Sequence, residues 1–499
     1  MKSVWLDTYQ APSGTADEFV PGAHYDTVVA GAGLTGLTTA VLLARAGQRV
    51  AVLEARTVGA VTTGNTTAKL SLLQGTTLSQ IRRHQPEGVL RAYVEGNREG
   101  IAWLVRYLEE RGVPFQRRMA YTYATTAQGT SALRKELEAT RAAGLHVNWT
   151  RDTGLPFKVS GAISLPEQVQ FHPMEVLGAL AAELKERGGT LVEGVRLTGA
   201  GVRSPITVQT SEGTVRADRL VLATGIPVLD RGGYFAKLSP NRSYALTYRV
   251  PGAPSSLPQG MYLSADSPAR TMRTVPVGEE ELLLVGGNDH VVGRTPSTQA
   301  AVDDLEAWTR RWFPEAERTH AWAAQDYRSV NLVPFIGTLP RGGGHIYLAT
   351  GYNKWGMSNA VAASLALSAE ILGGTVPWAE KLGRKATTPA DLLAALRVNA
   401  GVGFNAPKDW LRTELNELPA EAPAEGQGVV GREWGRPVAV STVDGTTCRV
   451  SGVCTHLGGV LRWNDVERSW DCPLHGSRFD ADGTRLEGPA VRDLARRGG

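Results

Sequence analysis

From Tyr25 the chain runs along an apolar strand, Thr27-Val28-Val29-Ala30, into Gly31-Ala32-Gly33-Leu34-Thr35-Gly36, then through a helical stretch to Ala46-Gly47 and a second apolar strand, Val50-Ala51-Val52-Leu53, that stops at Glu54. No other feature constrains the fold as strongly, because strand, glycine turn, helix and strand in this order make a parallel βαβ unit. Gly31 permits the tight turn, Gly33 lets the backbone approach a pyrophosphate at the helix N-terminus, and Gly36 lets helix and strand pack closely. Glu54 stands about twenty residues beyond the turn, where a carboxylate accepts hydrogen bonds from ribose hydroxyls. A lone G-x-G-x-x-G says little; in this context it predicts a bound dinucleotide.

Two later segments refine which one. Arg219 to Gly225 is an apolar strand ending in Ala223-Thr224-Gly225, and Ile346 to Met357 runs from a strand through Gly351-Tyr352-Asn353-Lys354-Trp355-Gly356-Met357 into an Ala-rich helix. The first resembles the second glycine signature of FAD proteins with two dinucleotide folds. The second would point a helix N-terminus at the pyrimidine end of a flavin, which becomes negative on reduction. No other G-x-G-x-x-G follows a strand, so no separate NAD(P)H domain is expected and the reducing electrons should come from an organic substrate.

Near the other end, Cys454-Thr455-His456-Leu457-Gly458 and Cys472-Pro473-Leu474-His475-Gly476-Ser477 supply one Cys and one His each, with fifteen residues between His456 and Cys472. Cys454 and Cys472 can hold one iron, and His456 and His475 the other, of a [2Fe–2S] cluster. The alternative is a tetrahedral zinc site, although zinc fingers usually pair Cys with Cys and His with His. Cys448 is expected to be a half-buried strand thiol.

These loops, with Trp463-Asn464, Ser469-Trp470-Asp471 and Ser477-Arg478-Phe479-Asp480, resemble Rieske domains over about seventy residues. Many high-potential members carry an extra Cys in each loop and join the two as a disulfide; here those places hold Gly459 and Leu474. Phe479 stands where such members have Tyr, while Ser477 keeps the hydroxyl aimed at a sulfide. Fewer hydrogen bonds to sulfur stabilise the reduced cluster less, which implies a potential in the lower part of the Rieske range.

The rest of the chain resembles the FAD-dependent D-amino-acid oxidase-like superfamily, and the whole resembles a bacterial subgroup in which such an oxidoreductase is fused to a C-terminal Rieske domain. Ser3-Val4-Trp5-Leu6, Thr63-Gly64-Asn65-Thr66-Thr67-Ala68-Lys69, Gln168 to Pro173 and Ala324-Gln325-Asp326-Tyr327 carry the likeness. It implies an α/β two-domain FAD-binding fold, with a parallel dinucleotide-binding sheet and an antiparallel substrate sheet, followed by an all-β Rieske domain. It also implies flavin contacts at Leu34, Thr35, Ala55, Arg56, Thr63, Thr66, Thr67, Ala68 and Val195, beside the glycine motifs.

The expected division is an N-terminal arm over 1–24, the flavin and substrate unit over 25–383 with 226–345 mostly substrate sheet, a connector over 384–424 and the Rieske domain over 425–499. Within the connector, Asp391 to Val398 and Lys408 to Leu415 are amphipathic, and Leu418 to Glu425 is a Pro/Ala/Glu linker. Short alternating runs at 243–250, 260–264, 271–275 and 281–285 suit an antiparallel sheet. In the superfamily this insert roofs the flavin and forms the substrate cavity.

With 499 residues, 42% hydrophobic and 20% charged, the chain can support two or three packed domains. A formal charge of +4 with scattered basic doublets leaves no stripe for nucleic acid. No signal peptide, membrane-length apolar run or disulfide framework is evident, so a cytoplasmic protein is expected.

In the superfamily a hydride passes from a C–H next to nitrogen to the flavin. Arg273, on a strand, is a candidate partner for a substrate carboxylate, against the alternative of a surface salt bridge. Tyr244, Tyr248, Asp289 and His290 are strand-end candidates, and His172 is expected to cap or pack. Lys69 and Lys354 lie in segments whose counterparts touch the flavin, where a cation would stabilise the anionic reduced ring. The leading expectation is a dehydrogenase of a small amine or amino-acid-like substrate that passes electrons singly through the cluster to an external acceptor. One alternative is a cluster-fed reductase or monooxygenase served by an external donor. Another makes the Rieske domain a redox sensor or docking element.

Overall fold

The computed structural model describes residues 1–12, 14, 16–383 and 417–497. The strand His24–Ala30 sits at the centre of a sheet because it is apolar on both faces and buried from Thr27 onward. Parallel neighbours flank it, Val50–Leu53 and then Thr190–Val192 on one side, Gly213–Leu222 and then Ile346–Thr350 on the other. Phe335–Thr338 closes that edge antiparallel, and the hairpin Leu197–Ala200 with Ile206–Thr210 extends Gly213–Leu222.

The helices behind this sheet approach closely because they are rich in small residues. A Cβ at Gly36 would lie 1.9 Å from the Gly31 carbonyl oxygen, and one at Gly100 would lie 2.8 Å from the Ala362 nitrogen. Leu34–Arg45 also packs on Gly356–Ile371, with the Ser364 hydroxyl donating to the Thr35 carbonyl at 2.9 Å. Both glycine-rich helix starts thereby face one cleft.

A second sheet runs Glu317–Ser329, Leu238–Arg249, Glu280–Val291, Arg270–Val277, Met261–Ser264, Phe115–Ala124, Gly161–Phe171 and Lys69–Leu70, with Asn148–Thr150 beside Gly161–Phe171. Its strands pair antiparallel except where Met261–Ser264 meets Phe115–Ala124. The sheet is wider than the 226–345 segment and borrows strands from upstream, because the short strand carrying Lys69 must reach the roof. Within 226–345, Phe335–Thr338 belongs to the parallel sheet instead.

The arm is folded rather than trailing. Ser3 caps the short helix Val4–Thr8, its hydroxyl donates to the Gly64 carbonyl at 2.5 Å, and the Trp5 indole donates to the Thr66 carbonyl at 2.6 Å. This pins the Thr63–Thr67 loop from behind.

The C-terminal module has a three-stranded sheet, Gly428–Glu433, Arg436–Val443 and Thr446–Ser451, and a four-stranded one, Arg462–Asn464, Ser469–Asp471, Arg478–Asp480 and Arg485–Glu487. Trp470 and Phe479 fill the core between them, both fully buried. The amphipathic stretches at 391–398 and 408–415 lie outside the described residues. The end of the linker, by contrast, lies along the module, with Glu417 bridged to Arg432 and Glu425 to Thr442. Among the described residues no helix is long and apolar enough to cross a membrane.

Candidate functional site

One cleft runs from Glu54 between the two sheets to the Lys69 strand. Gly31, Gly33, Leu34, Thr35, Glu54, Ala55, Arg56 and Thr63 line its first half, with Ala223, Thr224 and Gly225 opposite. The fit to a dinucleotide is physical. Gly31 has φ +106°, and a Cβ there would lie 2.5 Å from the Ala223 carbonyl oxygen. Gly33 brings no side-chain cap to the helix Leu34–Arg45, whose first N–H, that of Leu34, donates to the Thr63 hydroxyl at 3.2 Å, and this N-terminus faces the cleft. Glu54 is fixed by the N–H groups of Ala32 at 2.8 Å and Arg56 at 2.9 Å; burial raises its pKa against those two bonds.

Four of the expected cofactor residues do not line the cleft. Gly36 serves helix packing, and Val195 donates its N–H to the Glu54 carbonyl at 2.9 Å. Ala68 and Asn353 hold left-handed turns, with φ 50° and 49°, that direct their neighbours into the cleft.

In the second half, Thr66, Thr67, Lys69, Gly351, Trp355, Gly356 and Met357 converge with the roof residues Ser243, Ala245, Thr271 and Gly286. The Lys69 ammonium donates to the Tyr262 carbonyl at 3.3 Å and to the Thr271 hydroxyl. Burial, helped by the nearby Arg273 charge, lowers its pKa to about 7. Lys354 lines the mouth, its ammonium 2.8 Å from Asp289.

The geometry takes two expected substrate residues, Arg273 and His290, out of the cleft and leaves a third, Tyr244, at its wall. Arg273 is 1% exposed and outside the cleft; its nitrogens go to the carbonyls of Thr67, Thr274 and Phe171, and its guanidinium lies over Trp5. It is neither a substrate ligand nor a surface salt bridge, because the arm closes over it. Tyr244 touches the cleft wall, but its ring belongs with Leu246 and Tyr248 to the core beneath the helix Thr298–Trp312. His290 stacks on that ring and bonds the Asn288 carbonyl, away from the cleft.

The two Cys and His loops have the same geometry. In each, the Cys N–H donates to a carbonyl five residues on at 2.8 Å, and a glycine with φ +74°, Gly458 or Gly476, donates back to the Cys carbonyl at 3.1 Å. Cys454 and Cys472 are buried side by side. The His456 and His475 rings sit edge to face at 5.1 Å. Nδ1 of His456 is buried without a partner, free for an iron, while Nε2 is turned to Asp230. Burial, with His456 and Arg294 nearby, lowers the His475 pKa to about 4, which keeps that imidazole neutral. The cysteines are free, so no disulfide joins the loops.

These loops dock on the flavin-side unit through Asp230 and Phe235, which no sequence motif singles out, and through Gln325, in one of the segments that carry the family likeness. Asp230 approaches His456 Nε2 at 3.1 Å, and the Phe235 ring meets the edges of both imidazoles at 5.3 and 5.0 Å. Gln325 donates to the Gly476 carbonyl at 2.8 Å and to the hydroxyl of Tyr327, itself a cleft residue, at 2.9 Å. Leu486, Glu487 and Gly488 of the C-terminal module line the cleft directly. Around this contact Arg242 binds Glu467 and Glu487, Thr298 binds Asn464 at 2.9 Å, and Arg294 donates to the Pro473 carbonyl at 2.9 Å. Burial alone would raise the Glu467 carboxyl, but Arg242 and Arg478 hold it at about 2.

The family described as FAD dependent oxidoreductase matches residues 26–369, and the Rieske [2Fe-2S] domain matches residues 416–496. The Rieske 2Fe-2S iron-sulfur protein YhfW of Bacillus subtilis is 30% identical over 99% of this chain and 97% of its own. Among solved structures, L-proline dehydrogenase from P. horikoshii has TM-score 0.60 at 18% identity, covering 77% of this chain and all but 1% of its own (99%). Glycine oxidase from Geobacillus kaustophilus has TM-score 0.59 at 18% identity, over 74% of this chain and 98% of its own. These two likenesses concern the fold.

Proposed function

Since the chain belongs to the FAD-dependent oxidoreductases and carries a Rieske domain, we propose that it is a dehydrogenase of a small amine or amino-acid-like substrate, with electrons leaving through the iron–sulfur cluster to an external one-electron acceptor. FAD would supply hydride acceptance from a C–H beside nitrogen, and the [2Fe–2S] cluster single-electron carriage. The observation that carries this reading is the docking of both histidine loops on the flavin-side unit, with Gln325 joining the Gly476 carbonyl to Tyr327 of the cleft.

The chain's own residues have separable tasks. Glu54, Arg56 and the N-terminus of Leu34–Arg45 would hold the nucleotide half, and the N–H groups at the start of Gly356–Ile371 would face the reacting half. Lys69 supports negative charge there while it is protonated. The antiparallel sheet covers the reacting end, positions the substrate and excludes water. Asp230 and Phe235 hold the imidazoles, and Gln325 the Gly476 carbonyl, against the flavin-side unit, which favours a fixed relay over a sensor.

Anaerobic mixing of the FAD- and cluster-loaded protein with a panel of amines, amino acids and hydroxy acids tests this reading. An amine-type compound is expected to bleach the flavin, followed by appearance of the reduced-cluster EPR signal, and oxygen is expected to reoxidise the protein more slowly than a one-electron acceptor. Bleaching only by hydroxy acids, or rapid turnover with oxygen alone, would contradict it.

A further inference from the structure

We propose that the C-terminal module supplies part of the dinucleotide site, through Leu486, Glu487 and Gly488, so that FAD and the iron–sulfur cluster strengthen each other's binding. The coupling holds whichever substrate is oxidised and whichever way electrons run. The three residues line the same cleft as Gly31, Gly33 and Glu54. Leu486 is half-buried yet belongs to none of the apolar cores of the described residues. An apolar side chain that lines a cleft and packs in no core is surface for a ligand.

The segment is an outer strand that the flavin-side unit covers. Among the described residues Arg485–Glu487 pairs only with Arg478–Asp480, and a free strand edge needs cover. Arg196, itself a cleft residue, donates to the Arg485 carbonyl at 3.4 Å, and Arg242 binds Glu487 at 2.8 Å. The Arg196 charge acts on Glu54 in the flavin-side unit and on Arg485 and Asp493 in the module. It therefore ties the Glu54 end of the cleft to the strand.

Gly488 joins this wall to the cluster loop. Its φ is +100°, and a Cβ on it would lie 2.5 Å from the Ser477 Cα and 2.7 Å from the Gly476 carbonyl oxygen, so the wall touches the backbone of the loop that carries Cys472 and His475. Two residues on, the Ala490 N–H donates to the Ser477 hydroxyl at 3.1 Å. The loop is packed as closely on the flavin-side unit: a Cβ at Gly476 would lie 2.4 Å from the Pro240 Cβ, and one at Gly293 would lie 3.0 Å from the Pro473 nitrogen. A cluster held by Cys472 and His475 fixes this loop and, through Gly488, the place of Leu486 and Glu487. Metal sites are seldom preformed without their metal, so a chain that lacks the cluster must order the loop when FAD binds, and the affinity falls. By linkage, bound FAD strengthens the hold on the cluster by the same factor.

The test is a titration of deflavinated full-length protein with FAD, read from flavin fluorescence, beside iron content and the EPR signal of the reduced cluster. Leu486→Ala is expected to weaken FAD binding about 5- to 30-fold with iron content and EPR signal unchanged. Cys472→Ala, which removes a cluster ligand, should weaken it about 5- to 50-fold. In wild-type protein, release of iron to a coloured chelator should be about 5-fold slower with saturating FAD than without it. Unchanged FAD affinity in either variant, or iron release at one rate with and without FAD, would overturn the assignment. The iron-release measurement uses wild-type protein alone, which keeps the proposal open to refutation if Cys472→Ala folds poorly. No substrate enters any of these measurements, so failure of the amine-dehydrogenase reading and failure of this coupling are read separately.

Discussion

At the scale of single residues, Gly31 and Gly36 are decided by close backbone approach. A Cβ at Gly36 would fall 1.9 Å from the Gly31 carbonyl oxygen. Gly36→Ala is therefore expected to cost about 1–3 kcal/mol by overpacking and to lower bound FAD, as measured by denaturant unfolding and flavin content of the purified protein. Lys69 gives a prediction of definite sign. Its folded pKa of about 7 lies below that of an unfolded lysine, so between those values the unfolded chain binds more protons and stability rises with pH. The penalty is full below pH 7 and disappears as pH approaches the unfolded pKa. Lys69→Met should thus be more stable than wild type at pH 6, with the gap closing by about pH 10; equal stability at both pH values would contradict it. The glycines and Glu54 were legible because their spacing follows from the ligand's dimensions. Arg273 was not, because nothing local to its strand says that Trp5, from the arm, will cover it.

At the scale of elements, the seam between the modules is held by a buried charge network. Arg242 binds Glu467 and Glu487, and Arg478 binds Glu487 at 2.7 Å and Asp471 at 2.9 Å. Removing one partner from a buried pair typically costs about 3–5 kcal/mol. Arg242→Met should accordingly loosen the C-terminal module, seen as faster proteolysis near the connector and slower flavin-to-cluster transfer. Unchanged rates in both would show that the seam does not hold the module. The loops make a separate prediction: with no disulfide at Gly459 and Leu474 and with Phe479 unable to donate a hydrogen bond, a redox titration should place the cluster in the lower part of roughly −150 to +300 mV. A midpoint near the top of that range would contradict it. Both loops were legible as ligand sets, since each Cys and His sits in a turn closed by glycine. The seam was not, because Arg242 and Glu467 belong to segments 225 residues apart.

At the scale of the whole molecule, the parallel sheet brings two helix N-termini to one cleft, the antiparallel sheet roofs it, and the C-terminal module closes its wall. The fold classes follow from the sequence because periodicity and glycine turns are local. The docking of one module on the other does not, since Asp230 and Phe235 lie in a loop with no motif of its own and acquire meaning only opposite His456 and His475. The central claim is that cleft and cluster form one electron path within one chain. Anaerobic photoreduction of the flavin in the fully loaded protein, with the cluster followed by EPR, tests it most directly. The account predicts that flavin bleaching is followed by a reduced-cluster signal in a first-order step whose rate is independent of protein concentration. A cluster that stays oxidised, or a rate that rises in proportion to protein concentration, would contradict it.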